Sequence, residues 1–318
     1  MRGRDLLSLA DLSPDEVGLV LDGAATLKRA LKAGEPHALL AGRSLAMLFE
    51  KPSLRTRTTF AAGMAQLGGT SIDLMDEHMQ MGVRETVPDI AHNLERWVDV
   101  VMARVRQHET LAELAANASV PVINGLSDRY HPCQALGDLM TVRERFGELA
   151  GRTLAYVGDG YNVCHSLLLG CALSGMHVRC ATPRGYEPRS EVVTLAEQLA
   201  TAEDGTVAIG TDPAEAANGA DIVYTDSWVS MGTEAEAATR REVFAPYQVD
   251  AKLMARAGAD AIFMHCLPAH RGEEVTGEVM GGARSVVFDQ AENRLHVQKA
   301  VLVLLVRGGA ALREIGAE

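Results

Sequence analysis

A chain of 318 residues with 47% apolar and 23% charged side chains is long enough for two ordinary domains or one large one, in the balance of a soluble globular protein. Its formal net charge of −12 argues against nucleic acid as a partner, and an anionic substrate would have to be captured by a local cluster of arginines against the global field. No run approaches the roughly 18 apolar residues of a membrane span, and the N-terminal stretch MRGRDLLSLADLSPDE lacks the apolar core of a secretory signal, so a cytoplasmic protein is expected.

The first predicted element is a helix in SPDEVGLVLDGAATLKRALKAG, with Ser13 as N-cap, Pro14 in the first turn, acids next and Gly34 at the stop. Four strands are then predicted at 44–49, 70–75, 99–104 and 120–125. Six more are predicted at 152–158, 176–182, 206–210, 221–226, 261–266 and 285–289. Helix-period segments separate them, and such alternation implies parallel sheets covered by helices on both faces. The fold class read from this is α/β, with two doubly wound parallel-sheet domains that meet near RERFGELAGRT. The expected divisions are residues 1–132, a linking helix over 133–150 and a second domain over 151–293. A last helix, from about 294 to 318, is expected to pack back on the first domain.

The polar clusters share one placement. Ser53, Leu54, Arg55, Thr56 and Arg57 follow the first strand, Arg104 ends the third and HPCQ (131–134) follows the fourth. GDGYN, DSWVSMG and CLP follow strands of the second set. Each lies at the carboxyl end of a predicted strand, where open α/β sheets bind ligands.

FEKPSLRTRTTF (49–60) reads as a strand end followed by a helix beginning near Pro52 and Ser53. A capped helix with solvated arginines is the plain alternative. Cations at a helix N-terminus oppose its dipole, however, so Arg55 beside that terminus asks for an anion, and phosphate suits it. Three or four charge-assisted hydrogen bonds of roughly 1.5–3 kcal/mol each suffice for a small phosphorylated ligand. His131 is either a capping residue or, with Gln134, a hydrogen-bonding partner of a neutral carbonyl or amide. Arg104 would polarise that carbonyl unless it is held in an ion pair.

Five cysteines, Cys133, Cys164, Cys171, Cys180 and Cys266, form no CxxC pair, which supports neither a disulfide framework nor a zinc site. Cys266 is a core thiol or a site thiol, and no neighbouring His/Asp arrangement supports it as a covalent nucleophile. GDGYN supplies Gly158 and Gly160, but Val163 stands where a dinucleotide fingerprint needs a third small residue, and the next strand ends without an acid. A nicotinamide-dependent dehydrogenase is therefore a minor alternative.

FEKPSLRTRTTF, QMG, HPCQALGDLMT, DSWVSMG and FMHCLPAHRGEEV occur in this order. In that combination the chain resembles the aspartate/ornithine transcarbamoylase family, on its ornithine-using side, over almost its whole length. The resemblance implies an active site in the cleft between two domains. It also implies transfer of the carbamoyl group of carbamoyl phosphate to the δ-amine of L-ornithine, giving citrulline and phosphate through a tetrahedral intermediate. Ser53, Leu54, Arg55 and Thr56 would bind the phosphate, with Arg57 supporting the loop. Arg104, His131, Gln134 and Arg294 would hold the carbamoyl group, with Cys266 and Leu267 beside it. Gln80 matches a loop glutamine that reaches a neighbouring subunit in many members, implying a homotrimer or a multiple of one. Asn162, Asp226, Ser230 and Met231 would hold ornithine. Arg55, Arg104, His131 and Cys266 are thus the expected catalytic set. No cofactor and no metal is implied. Leu54 replaces the usual threonine, which keeps a backbone N–H contact and loses a hydroxyl; Gly137 stands where alanine is usual. Another amine acceptor is the alternative within the family.

Overall fold

The computed structural model describes residues 1–75, 81–229 and 234–315. The chain divides into two compact units, Met1–Met140 with Glu292–Glu318, and Thr141–Ala291.

The first unit opens with helix α1 (Pro14–Ala33). Ser13 Oγ accepts from the Glu16 N–H and the Glu16 carboxylate accepts from the Ser13 N–H, while Gly34 ends the helix in the left-handed region at φ 72°. These are the start and stop that the sequence predicts. Strands β1 (Ser44–Phe49), β2 (Thr70–Met75), β3 (Val100–Arg104) and β4 (Val122–Leu126) form a parallel sheet in the order β2-β1-β3-β4. Helices α2 (Leu54–Gln66), α3 (Val87–Leu94), α4 (His108–Asn117) and α5 (Pro132–Phe146) follow those strands in turn. The central strands β1 and β3 are buried almost throughout, whereas the edge strand β2 is largely exposed. This is the pattern of a parallel sheet covered on both faces. At the other edge, Leu6 exchanges backbone hydrogen bonds with Val122 and Asn124, so the N-terminal segment lies beside β4.

The second unit holds β5 (Thr153–Val157), β6 (His177–Ala181), β7 (Thr206–Gly210), β8 (Ile222–Thr225) and β9 (Ile262–His265), parallel and in the order β7-β6-β5-β8-β9. Helices α6 (Asn162–Ala172), α7 (Ser190–Ala202), α8 (Pro213–Ala217), α9 (Ala237–Phe244) and α10 (Ala251–Met254) connect them, and α11 (Gly277–Met280) follows β9. Both sheets run outward in two directions from a central strand, so both units are doubly wound, as the alternation of elements predicts.

Two expectations fail at the C-terminal end. The stretch 285–289 is no strand: Ser285 makes one isolated bridge to Phe263, and the helix α12 (Val287–Val306) begins two residues later. Its β-branched run reads as a strand by propensity, but only one bridge forms before the helical pattern takes over. The last helix therefore starts at Val287 rather than near 294, and a short 3-10 turn, Gly309–Glu314, follows it.

Helix α12 also buries a lysine. Lys299 is fully buried, and its Nζ donates to His37 Nε2 (3.0 Å) and Gln66 Oε1 (2.9 Å). His37 can accept there because its Nδ1 donates to the carbonyl of Glu35. Burial lowers the Lys299 pKa from 10.5 to about 8. Between those values the unfolded chain binds more protons than the folded chain, so this residue makes stability rise with pH across that window. Lys299→Met is expected to remove the rise. Its stability relative to wild type should change by roughly 3 kcal/mol between neutral pH and pH 10.5, read by urea unfolding at a series of pH values. Parallel stability curves for the two proteins would contradict the assignment.

Candidate active site

In the first sheet the chain leaves β1 toward β2 on one side and takes up β3 on the other, so the loops after β1 and β3 diverge at a topological switch point. Ser53 caps α2: its Oγ accepts from the Thr56 N–H at 3.3 Å. The N–H groups of the first turn that this cap leaves open lie at the positive end of the helix dipole. Leu54 is 77% exposed and offers no hydroxyl. Thr56 is buried, and its hydroxyl accepts from Arg294 Nη2 at 3.2 Å. The other arm of Arg294 donates to Gln134 Oε1 at 2.5 Å, and Gln134 Nε2 donates to Asp138 Oδ1 at 2.8 Å. The buried chain Asp138–Gln134–Arg294–Thr56 ties α5, α12 and α2 together and fixes which way the Gln134 amide points.

Arg104 ends β3 and is buried. The register with β4 shifts between Ala103 and Arg104, the kind of irregularity that re-aims a side chain at a strand tip. Gly125 lies opposite, where a Cβ would meet Met102 Sδ at 2.4 Å and Arg104 Cβ at 3.4 Å. A side chain there would have to push the Met102 thioether aside and would crowd the Ala103 carbonyl and Arg104. His131 is buried directly before α5. Burial first, then the charges of Arg294, Arg104 and Arg55, hold its pKa well below the usual histidine value. The charges of three guanidinium groups therefore act on one imidazole that stays neutral. Cys133, next to it, is inert: burial pushes its thiol up to about 11 against the opposing pull of Arg294.

Arg57 does not join this group. It pairs with Asp73 at 2.8 Å and lies over the Phe49 ring, 5.3 Å from its centroid, holding α2 against the sheet. Gly137 faces Arg294: a Cβ there would come within 3.2 Å of Arg294 Cδ, so the usual alanine would press on that side chain. Gln80 lies outside the described residues.

The second sheet has its switch point between β5 and β8. Asn162 opens α6, is buried, and accepts from the Val163 N–H through Oδ1 at 2.8 Å. Asp226 follows β8; its Oδ1 accepts from the Ser227 N–H at 2.7 Å and from the Cys266 thiol at 2.8 Å. Asp226 and Cys266 are both half-buried and reach the same strand-end surface. Ser230 and Met231 lie outside the described residues.

Leu267, in the left-handed region at φ 60°, precedes a cis peptide bond to Pro268. Its N–H donates to His265 Nδ1 at 2.8 Å. His265 Nε2 in turn donates to the buried Glu274 at 3.0 Å, and Ser227 Oγ donates to the Pro268 carbonyl. Both ring nitrogens of His265 are thus engaged away from the thiol, so this histidine is not the base of a Cys/His nucleophile. Asp226, His265 and Cys266 bring metal-ligand atoms within 4.8 Å of one another, as do His270, Glu273 and Glu274. A metal on the first group would have to displace His265 from Glu274 or from Leu267.

The Gly-x-Gly of GDGYN serves packing. A Cβ on Gly160 would lie 2.3 Å from the Pro188 nitrogen and 2.6 Å from the Tyr186 carbonyl oxygen. Asp159, between the two glycines, pairs with Arg240 at 2.7 Å. A chain segment and an ion pair account for the motif without a dinucleotide.

Residues 4–144 match the family description "Aspartate/ornithine carbamoyltransferase, carbamoyl-P binding domain", and residues 150–305 match "Aspartate/ornithine carbamoyltransferase, Asp/Orn binding domain". The chain belongs to the aspartate/ornithine carbamoyltransferase family. It is 52% identical to a protein named ornithine carbamoyltransferase in Pyrococcus horikoshii, over 97% of each chain. It is 51% identical to one named "Ornithine carbamoyltransferase, anabolic" in Pyrococcus furiosus, over 97% of this chain and 98% of that one. A solved structure of ornithine carbamoyltransferase from Pyrococcus furiosus superposes with a TM-score of 0.95 at 51% identity, covering 96% of this chain and 98% of that chain.

The two family descriptions divide the residues much as the geometry does. Ser53 to Thr56, Arg104, His131 and Gln134 fall in the carbamoyl-P stretch, and Asn162, Asp226 and Cys266 in the Asp/Orn stretch. Arg294 is the exception: it falls within the second stretch, yet its side chain bonds to Thr56 and Gln134 of the first unit. Sequence reasoning missed Asp138, Asp159, Arg240 and Glu274. Of these, Asp138, Asp159 and Glu274 stand inside motifs that the sequence singles out (HPCQALGDLMT, GDGYN and FMHCLPAHRGEEV), and their neighbours' need for a partner was the available clue.

Proposed function

We propose that this carbamoyltransferase moves the carbamoyl group of carbamoyl phosphate to the δ-amine of L-ornithine, and that the residues gathered at the two switch points do so in two half-sites. The observation that carries the first half is the convergence of Arg55, Arg104 and Arg294 on a neutral His131 beside the capped N-terminus of α2. Phosphate is a dianion at neutral pH, and a helix N-terminus with guanidinium groups suits it in charge and geometry. Arg104 and His131 are assigned to the carbamoyl oxygen. A neutral imidazole can donate one hydrogen bond there without adding a charge that would have to be neutralised. Asn162 and Asp226, with Ser230 and Met231, are assigned to the α-amino and α-carboxylate groups of ornithine. Cys266 and Leu267 are assigned to the reacting end.

The chemistry then follows. The δ-amine nitrogen attacks the carbamoyl carbon, and the oxygen of the tetrahedral intermediate carries negative charge toward Arg104 and His131, which are fixed before the reaction begins. The bond from carbon to the bridging oxygen breaks, and phosphate leaves with the electron pair into contacts it already has with Arg55 and α2. One of its oxygens accepts the proton that the amine must lose. The amine has a pKa of about 10, like lysine, and a desolvated site rich in guanidinium charge favours its neutral form. The sequence likeness to ornithine carbamoyltransferases supports the choice of amine. We also propose a homotrimer or a multiple of one. Ile72 on the edge strand β2 and Val83 leave large apolar side chains exposed in keeping with a subunit contact.

The purified protein, given carbamoyl phosphate and L-ornithine without added metal, is expected to release citrulline and phosphate in equal amounts. A folded protein that makes no citrulline from neutral to mildly alkaline pH would defeat the proposal. A panel of other amines in the same assay checks the acceptor.

A further inference from the structure

One buried guanidinium joins three pieces of the second unit. Arg240, on α9, is 7% exposed. Its Nη1 donates to Asp159 Oδ2 at 2.7 Å and to the carbonyl oxygen of Trp228 at 2.9 Å, and its Nε donates to Glu236 Oε2 at 3.3 Å. The guanidinium lies over the Tyr186 ring, 4.9 Å from the centroid, and the Trp228 indole stacks on Phe244. Asp159 sits in the loop from β5 to Asn162, and Trp228 stands two residues after Asp226. The Tyr156 hydroxyl also donates to the Asp159 carbonyl, so that residue is held by its backbone as well as by its carboxylate.

We infer that Arg240 is a positioning residue for the amino-acid substrate: by bonding Asp159 and the Trp228 backbone at once, it sets Asn162 and Asp226 in register with each other. The inference rests on the reading that those two residues hold ornithine. The fork is what the role needs. A planar group with several fixed donors reaches a carboxylate and a carbonyl together while lying flat on a ring, whereas an ammonium is a point charge on a flexible stem.

Trp228 provides a readout separate from catalysis. The chain has two tryptophans; Trp228 is 4% exposed and Trp97 is 67% exposed. In a Trp97→Phe parent, emission therefore reports Trp228 alone. Arg240→Gln in that parent is expected to shift the emission to longer wavelength and to raise acrylamide quenching. The KM for ornithine should rise by roughly tenfold or more while the KM for carbamoyl phosphate stays within about twofold. Breaking one side of a buried ion pair threatens folding, so the double variant Asp159→Asn with Arg240→Gln is measured beside it. It carries no uncompensated charge and is expected to recover melting temperature while keeping the raised ornithine KM. Arg240→Lys is expected to keep part of the defect.

Three results overturn the inference: unchanged Trp228 emission and quenching in Arg240→Gln, equal effects on both KM values, or a double variant whose ornithine KM returns with its stability. A parent enzyme that does not carbamoylate ornithine would instead overturn the reading beneath it, and the Trp228 measurements would still decide whether Arg240 holds this region.

Discussion

Arg104→Ala is expected to lower kcat by about 10²–10³, with a smaller effect on the KM for ornithine, because removing one preorganised donor from a developing oxyanion costs a factor of that size. Arg104 is buried at the end of β3, with its backbone set by the register shift against β4 and by the glycine across from it. No reorganisation is then needed as charge builds up on the carbamoyl oxygen. His131 cannot take over the missing charge. The pKa of its ring lies well below the usual histidine value through burial and the arginine charges. Losing one of those charges raises it only part of the way. Arg104→Lys should recover little, since the fork and not the charge alone meets the planar carbamoyl group. A variant that keeps wild-type kcat would remove Arg104 from the chemistry.

The second large effect is a division of labour. Arg55→Ala should raise the KM for carbamoyl phosphate by about 10–100-fold, the loss of one or two charge-assisted hydrogen bonds at roughly 1.5–3 kcal/mol each. Its KM for ornithine should stay within a few-fold of wild type. Asp226→Ala should do the reverse. Asp226 accepts from the Ser227 N–H and the Cys266 thiol, so its removal disorders the surface assigned to ornithine and leaves the arginine cluster in place. Steady-state kinetics with each substrate varied in turn separates the two. Equal losses for both substrates in both variants would contradict the assignment of one substrate to each unit.

How much of this was legible in the sequence depended on how local each feature is. The limits of α1 were readable because Ser13, Pro14 and Gly34 act on their own backbone neighbours. The cap at Ser53 was readable for the same reason, whereas the separate role of Arg57 came only with the family resemblance. Residues two apart on a helix face different ways, and Arg57 turns to Asp73 and Phe49. The placement of polar clusters at strand ends needed only the alternation of elements and the rule for open sheets.

What remained hidden was decided by partners distant in the chain. Arg240 is an ordinary helix arginine until Asp159, some 80 residues earlier, is brought to it. Arg294 was named by the family resemblance, but its bonds to Thr56 and Gln134, 238 and 160 residues earlier, were not readable. The stretch from Ser285 misled because its propensity and its tertiary position disagree: valines favour a strand, yet a single bridge to Phe263 is all that forms before α12 begins. Leu6 gave no strand pattern because its role beside β4 comes from two backbone hydrogen bonds and not from its own periodicity.

The central claim is that the arginine cluster at one switch point and Asp226 at the other act on one pair of reactants. A crystal structure with a single molecule carrying a phosphonoacetyl group on the δ-nitrogen of ornithine tests it most directly. The account predicts phosphonate oxygens within hydrogen-bonding distance of Arg55 and the first turn of α2, the amide oxygen at Arg104 and His131, and the amino-acid end at Asn162 and Asp226. An analogue molecule that touches Arg55 and Arg104 but leaves Asp226 and Asn162 without contact, or the reverse, would contradict it.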